Sequence, residues 1–262
     1  MTEPLFQKSN LRVLPLGRNL DDLLPILAKF PVKIVADNPD LIISHGGDGT
    51  LLGAERDYPL IPKCALRDRR RNPKCPLHDE ETVLRQLFAG QLDKHFLLTL
   101  RAETETGETL TGINDLVISR VNNPCTAIRY RVWQDGKLLL PQTVSDSLII
   151  STPFGSTGYF QSVTKGVFRC GLGLACNNAM DGIGFAIVPE TSSLTIRLLR
   201  GPAVMAADNN PRLLELQDGS EISVTVSPDS TPVYGLEAFR CHDCYLLRRN
   251  GIPEQTPTTE VK

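Results

Sequence analysis

Apolar positions along the chain follow two periods. Up to about Gly90, short apolar runs such as Val32 to Val35 and Leu41 to Ile43 alternate with segments at helical spacing, the texture of an α/β layer. Val83, Leu84, Leu87 and Phe88 share one helical face, opened by Asp79, Glu80 and Glu81 and closed by Gly90, which predicts a helix. From about His95 the period falls to two. Ile128, Tyr130 and Val132 alternate with Arg129, Arg131 and Trp133, and Asp135-Gly136 predicts a hairpin turn before Leu138 to Leu140. Leu194/Ile196/Leu198 and Ile222/Val224/Val226 repeat the alternation. The expected architecture is a Rossmann-like α/β domain over residues 1–95 and an all-β, sandwich-like domain over 96–250. A polar, proline-bearing tail over 251–262 is expected to fray.

Composition narrows the class. At 262 residues and 41% hydrophobic, the chain can bury real cores. The 28 Lys+Arg against 30 Asp+Glu exclude nucleic-acid or membrane-surface binding driven by bulk charge. MTEPLFQKSN lacks a basic segment followed by an apolar stretch, and no apolar run approaches the ~20 residues that span a bilayer, so a soluble, cytoplasmic protein is expected. Seven cysteines in a chain this long are expected to be mostly reduced thiols.

Candidate chemistry begins at SHGGDGTLL, residues 44–52. The preceding DLIIS reads as a buried strand and LLGAER as the start of a helix, which places Asp48 at a strand-to-helix crossover, where open α/β sheets bind ligands. Glycines let backbone amides approach phosphate. The loop is neither a Walker A nor a dinucleotide fingerprint. An acid where the Walker lysine would stand implies a reacting hydroxyl or a bound cation; the plain alternative is a glycine-rich turn with a solvated acid. A second block, DSLIISTPFGSTGYFQS over 146–162, joins an apolar strand to a loop rich in hydroxyls and bare amides, suited to a ribose, an adenine edge or a phosphate. An ordinary strand-loop would use the same residues.

GGDGT (46–50), NDLVIS (114–119) and DSLIISTPFGSTGYFQS (146–162), in this order, resemble the ATP-NAD kinase family. The resemblance runs from about residue 40 to 227 and implies an α/β domain followed by a β-sandwich. It also implies transfer of phosphate from ATP or another donor to the 2′-hydroxyl of NAD's adenosine ribose, giving NADP, with Mg²⁺ or another divalent ion and no protein metal site of its own. By this resemblance Asp48 activates the attacking hydroxyl, and Gly46, Gly47, Gly49 and Thr50 form the phosphate loop. Asn114 and Asp115 bind the adenosine half, Asp146 reads the nicotinamide carboxamide, and Thr157, Gly158, Tyr159 and Ser162 line the NAD pocket. Asp208 corresponds to an acid supplied near a neighbouring subunit's site, so a homodimer or homotetramer is expected. The chain departs from the family pattern in several places. Asp115 stands for glutamate, Ser147 for glycine, and Thr164-Lys165 for Gly-Gly; ALRDRRRNPKC replaces a glycine-rich segment, and a histidine-containing stretch has no counterpart.

Arg67, Arg69, Arg70 and Arg71 read as a solvated loop, or alternatively as neutralisers of phosphate oxygens. Cys241-His242-Asp243-Cys244 holds a C-x-x-C; free thiols are the reading, with a zinc site needing the Cys64/Cys75 pair as its other half. Two further functions stay open: a kinase for a lipid or other small alcohol that shares GGDGT, and a dinucleotide-binding protein that no longer transfers phosphate.

Overall fold

A computed structural model describes residues 10–70, 78–121, 123, 125–180 and 184–243. The expectations for Arg71, Cys75, Cys244 and the 251–262 tail lie outside the described residues. The first elements are β1 (Leu11–Gly17), α1 (Leu20–Leu27), β2 (Val32–Ile34), β3 (Leu41–His45), α2 (Asp48–Asp57), β4 (Lys63–Leu66), α3 (Glu80–Phe88) and β5 (Lys94–Leu97). Strands β2, β1, β3 and β4 pair in parallel. β3 is buried at every position, so it reads as an unbroken apolar run instead of an alternation. The helix anticipated from its apolar face is α3: the Asp79 carboxylate caps it by accepting from the Thr82 amide at 3.0 Å. Gly90, at φ +69°, follows its end, and Val83, Leu84 and Leu87 join the core.

The second run of elements is β6 (Leu100–Thr104), β7 (Thr109–Gly112), β8 (Asp115–Arg120), β9 (Ile128–Gln134), β10 (Lys137–Ser145), β11 (Ser147–Ser151), α4 (Tyr159–Thr164) and β12 (Leu172–Asn177). It continues with β13 (Phe185–Val188), β14 (Leu194–Arg200), β15 (Ala203–Ala207), β16 (Leu214–Leu216) and β17 (Glu221–Val226). They form two six-stranded sheets, ordered β10-β9-β14-β17-β6-β7 and β13-β12-β11-β8-β15-β16, paired antiparallel throughout. One apolar core draws side chains from both sheets, among them Tyr130, Val132, Leu148, Ile196 and Ile222. Asp135 and Gly136 both take positive φ in the β9–β10 hairpin, as its two-residue turn requires.

The last strand, β18 (Thr231–Tyr234), corrects the expected 96–250 domain. It pairs in parallel with β4 and completes the first sheet as β2-β1-β3-β4-β18-β5, and α5 (Leu236–Phe239) follows it. The described residues of Met1–Ala54, Ile61–His95 and Pro232–Lys262 form one compact unit, and Glu55–Leu60 with Phe96–Thr231 form the other. Thr231 to Tyr234 are buried at all four positions, the pattern of an interior parallel strand and not of an alternating edge.

Candidate active site

The expected residues fall in both units. In the first, β3 ends at His45, the Gly46 amide donates to the Leu66 carbonyl at 2.8 Å, and α2 starts at Asp48. Gly46 is dictated by space: a Cβ there would lie 2.1 Å from the Thr50 hydroxyl oxygen. The Thr50 amide closes the turn onto the Gly47 carbonyl at 3.0 Å, and Gly49 is exposed.

Asp48 is clamped. Arg67 Nη1 lies 3.1 Å from Oδ2 and Arg240 Nη2 lies 3.0 Å from Oδ1. Burial works to raise the carboxyl pKa, but the two guanidiniums outweigh it and Asp48 titrates below the usual carboxylate range. Arg67 therefore does not sit in the solvated loop expected of it. It is 11% exposed, donates Nε to the Phe239 carbonyl at 3.1 Å, and stacks 3.9 Å above the Phe239 ring. Arg69 and Arg70 are exposed, and Arg70 pairs with Asp22 at 2.6 Å. Arg240, brought by α5, had no signal in the sequence beyond a basic residue before a polar stretch.

In the second unit, β8 and the loop after β11 are knitted together. The Thr152 amide donates to the Asn114 carbonyl at 2.9 Å, the Thr152 hydroxyl to the Ile113 carbonyl at 2.6 Å, and the Gly155 amide to the Thr152 hydroxyl at 3.1 Å. A Cβ on Gly155 would sit 2.2 Å from the Asn114 carbonyl oxygen, so only glycine fits. The result brings Asn114, Asp115, Gly158 and Tyr159 into one neighbourhood. Asp115 is 7% exposed; its Oδ1 and the Asn114 Oδ1 are buried without a hydrogen-bond partner among the described residues, acceptors suited to a bound hydroxyl or amine. Burial pushes the Asp115 carboxyl up to about 7, helped by the nearby Asp208 and opposed by Ser151.

Asp208 sits against the start of β8. Its carboxylate accepts from the amides of Ile113 at 2.8 Å, Asn114 at 2.8 Å and Asp115 at 3.0 Å, all in its own chain. It holds up the Asn114–Asp115 pair. Burial raises its pKa against the pull of those amides.

Asp146 is also engaged at home, by an ion pair with Arg120 and by the Asn178 amide at 2.7 Å. Tyr159 opens α4, with its hydroxyl 3.2 Å from the Ser147 hydroxyl and 3.2 Å from Asn177 Nδ2. Ser147, a departure from the family pattern, thus orients this ring. Thr157 and Ser162 are exposed, and the Ser162 hydroxyl donates to the Tyr159 carbonyl at 2.7 Å. Lys165 ends α4 in a left-handed conformation, its ammonium 2.5 Å from the Ser162 carbonyl. Among the described residues no group of three or more His, Cys, Asp or Glu side chains could cage a metal ion, and Cys64, Cys125, Cys170, Cys176 and Cys241 form no disulfide.

The ATP-NAD kinase C-terminal domain family matches residues 113–236. Among curated relatives, the NAD kinase of Bordetella parapertussis is 30% identical over 245 residues, covering 84% of this chain and 79% of that protein. The NAD kinase of Brucella suis is 26% identical over 207 residues, covering 75% and 79%. Among solved structures, yeast NADH kinase complexed with NADH superposes with a TM-score of 0.75 at 14% identity, covering 98% of this chain and 91% of that one. An Archaeoglobus fulgidus NAD kinase in complex with ATP superposes at 0.70 and 17% identity, covering 87% and 95%. The structural likeness carries the fold, and the kinship in sequence spans both the GGDGT loop and the STPFGSTGY block, so the chain belongs to the NAD kinase family.

Proposed function

We propose that the chain phosphorylates the 2′-hydroxyl of the adenosine ribose of NAD, producing NADP. The carrying observation is kinship with NAD kinases over 84% of the chain at 30% identity, with Asp48 retained in the GGDGT loop. In the reaction the ribose oxygen attacks the donor's terminal phosphorus, the new O–P bond forms, and the bond from phosphorus to the leaving phosphate oxygen breaks. Asp48, ionised at neutral pH, orients the hydroxyl and accepts its proton, which passes to solvent. The loop of Gly46, Gly47, Gly49 and Thr50 is proposed to lie against the donor's phosphates, its Gly46 and Thr50 amides being engaged within the fold by the Leu66 and Gly47 carbonyls. Asn114 and Asp115 offer the buried acceptors for the adenosine half, while Thr157, Gly158, Tyr159 and Ser162 line the dinucleotide. Asp146 is proposed at the nicotinamide end, exchanging the Asn178 amide for the carboxamide.

ATP is the proposed donor. A divalent ion, Mg²⁺ by preference, would come with the donor's phosphates. Such an ion supplies charge neutralisation on the transferring group. No helix among the described residues is long and apolar enough to cross a membrane. A cytoplasmic location and a homodimer or homotetramer belong to the same reading. Incubation with NAD, ATP and Mg²⁺, read by an NADP-specific dehydrogenase, tests it; NAD binding with no NADP from ATP, other triphosphates or polyphosphate would leave a binding protein.

A further inference from the structure

Proton transfer to Asp48 does not by itself call for two arginines. Each Asp48 oxygen carries its own guanidinium, which lowers its proton affinity and leaves the loop with one positive charge more than the acid needs. The arrangement suits a different ligand. A guanidinium presents a planar fork of donors that matches a phosphoryl group, and two forks converging on one pair of oxygens match its several oxygens. Arg67 is held for this purpose by the Phe239 carbonyl and ring, and it lies over the loop: a Cβ on Gly47 would be 3.6 Å from its Nη1. Arg240 is the more accessible of the two, at 24% exposure.

We propose that Arg67 and Arg240 form the phosphate clamp for the donor, and that the Asp48 carboxylate occupies the place of the donor's phosphoryl oxygens until the donor arrives. The inference rests on the kinase reading above. When a triphosphate or polyphosphate chain enters, its terminal oxygens take the guanidinium bonds, and Asp48 is released toward the acceptor hydroxyl. The clamp reads phosphate and not a base, so the ligand class is a chain of at least two linked phosphates, whatever it is attached to.

Inorganic tripolyphosphate, titrated calorimetrically into the full chain without dinucleotide, tests the clamp. Arg240→Gln is expected to weaken it by ~10-fold or more, and to raise KM for the donor while leaving KM for NAD close to wild type. Asp48→Asn is expected to bind tripolyphosphate several-fold more tightly, because the competing charge is gone. Arg67→Lys keeps the charge but loses the fork, and weakens binding even if Arg240→Gln does not fold. Unchanged affinity in the folded arginine variants, or weaker binding by Asp48→Asn, overturns the proposal. The kinase reading fails separately: wild type that binds tripolyphosphate in this order but makes no NADP keeps the clamp and loses the reaction, whereas NADP formation with unchanged affinity in the arginine variants does the reverse.

Discussion

Asp115→Asn exchanges a buried acid for a neutral side chain of nearly the same shape, and its effect on stability is set by proton linkage. The carboxyl is 7% exposed, and its folded pKa is raised from 3.8 to about 7, chiefly by burial. Between those values the unfolded chain has released this proton and the folded chain retains it. The native state then binds one proton more, and stability falls as pH rises, by ~1.4 kcal/mol per pH unit. The contribution is whole below pH ~4 and lost above about 7, a total of ~4 kcal/mol as an upper figure. Asp208, also raised, acts with the same sign. The variant has no such proton, so the wild-type melting temperature should fall relative to it by ~3–5 °C per pH unit. Thermal melts of both proteins, followed by circular dichroism from pH 4.5 to 8 at constant ionic strength without ligand, measure this. A difference between the two that stays flat across that range would show Asp115 ionised in the fold and refute the assignment. In kinetics the same substitution should raise KM for NAD more than it lowers kcat, since the residue holds the ribose and does not act on the phosphorus.

Replacing Asp48 by Asn should lower kcat by ~10²–10⁴-fold in the coupled NADP assay with the fold retained; near-normal kcat with early melting would make the acid structural. Gly155→Ala meets three Asn114 backbone atoms, the nearest at 2.2 Å, whereas Gly46→Ala meets the Thr50 hydroxyl, which can rotate, and the Thr50 Cβ at 2.9 Å, which cannot, so both should lower the melting temperature and the first should lower it more. Asp208→Asn turns an amide donor toward an N–H that the carboxylate accepted; the melt should report a loss of ~1–3 kcal/mol that is independent of protein concentration. Light scattering should find two or four chains, and full activity in a monomer would remove that part of the reading.

Local features were legible in the residues alone. The step from β3 through GGDGT into α2 needs only a buried run, bare glycines and a helix start, and the Asp135-Gly136 hairpin and the Asp79 cap are decided within four residues. The alternation of β9, β14 and β17 marked a sandwich, because a period of two survives whatever the partner strand is. Long-range placement left no such trace. The return of β18 to the first sheet was not legible, because a short buried strand carries no address. Arg240 meets an aspartate 192 positions earlier, and Asp208 caps amides some 94 residues before it. An ion pair or a carboxylate on backbone amides needs only that its groups meet in space. The same arginine in sequence is a solvated charge or a phosphate ligand, and what it packs against, here Phe239 and Asp48, decides between them.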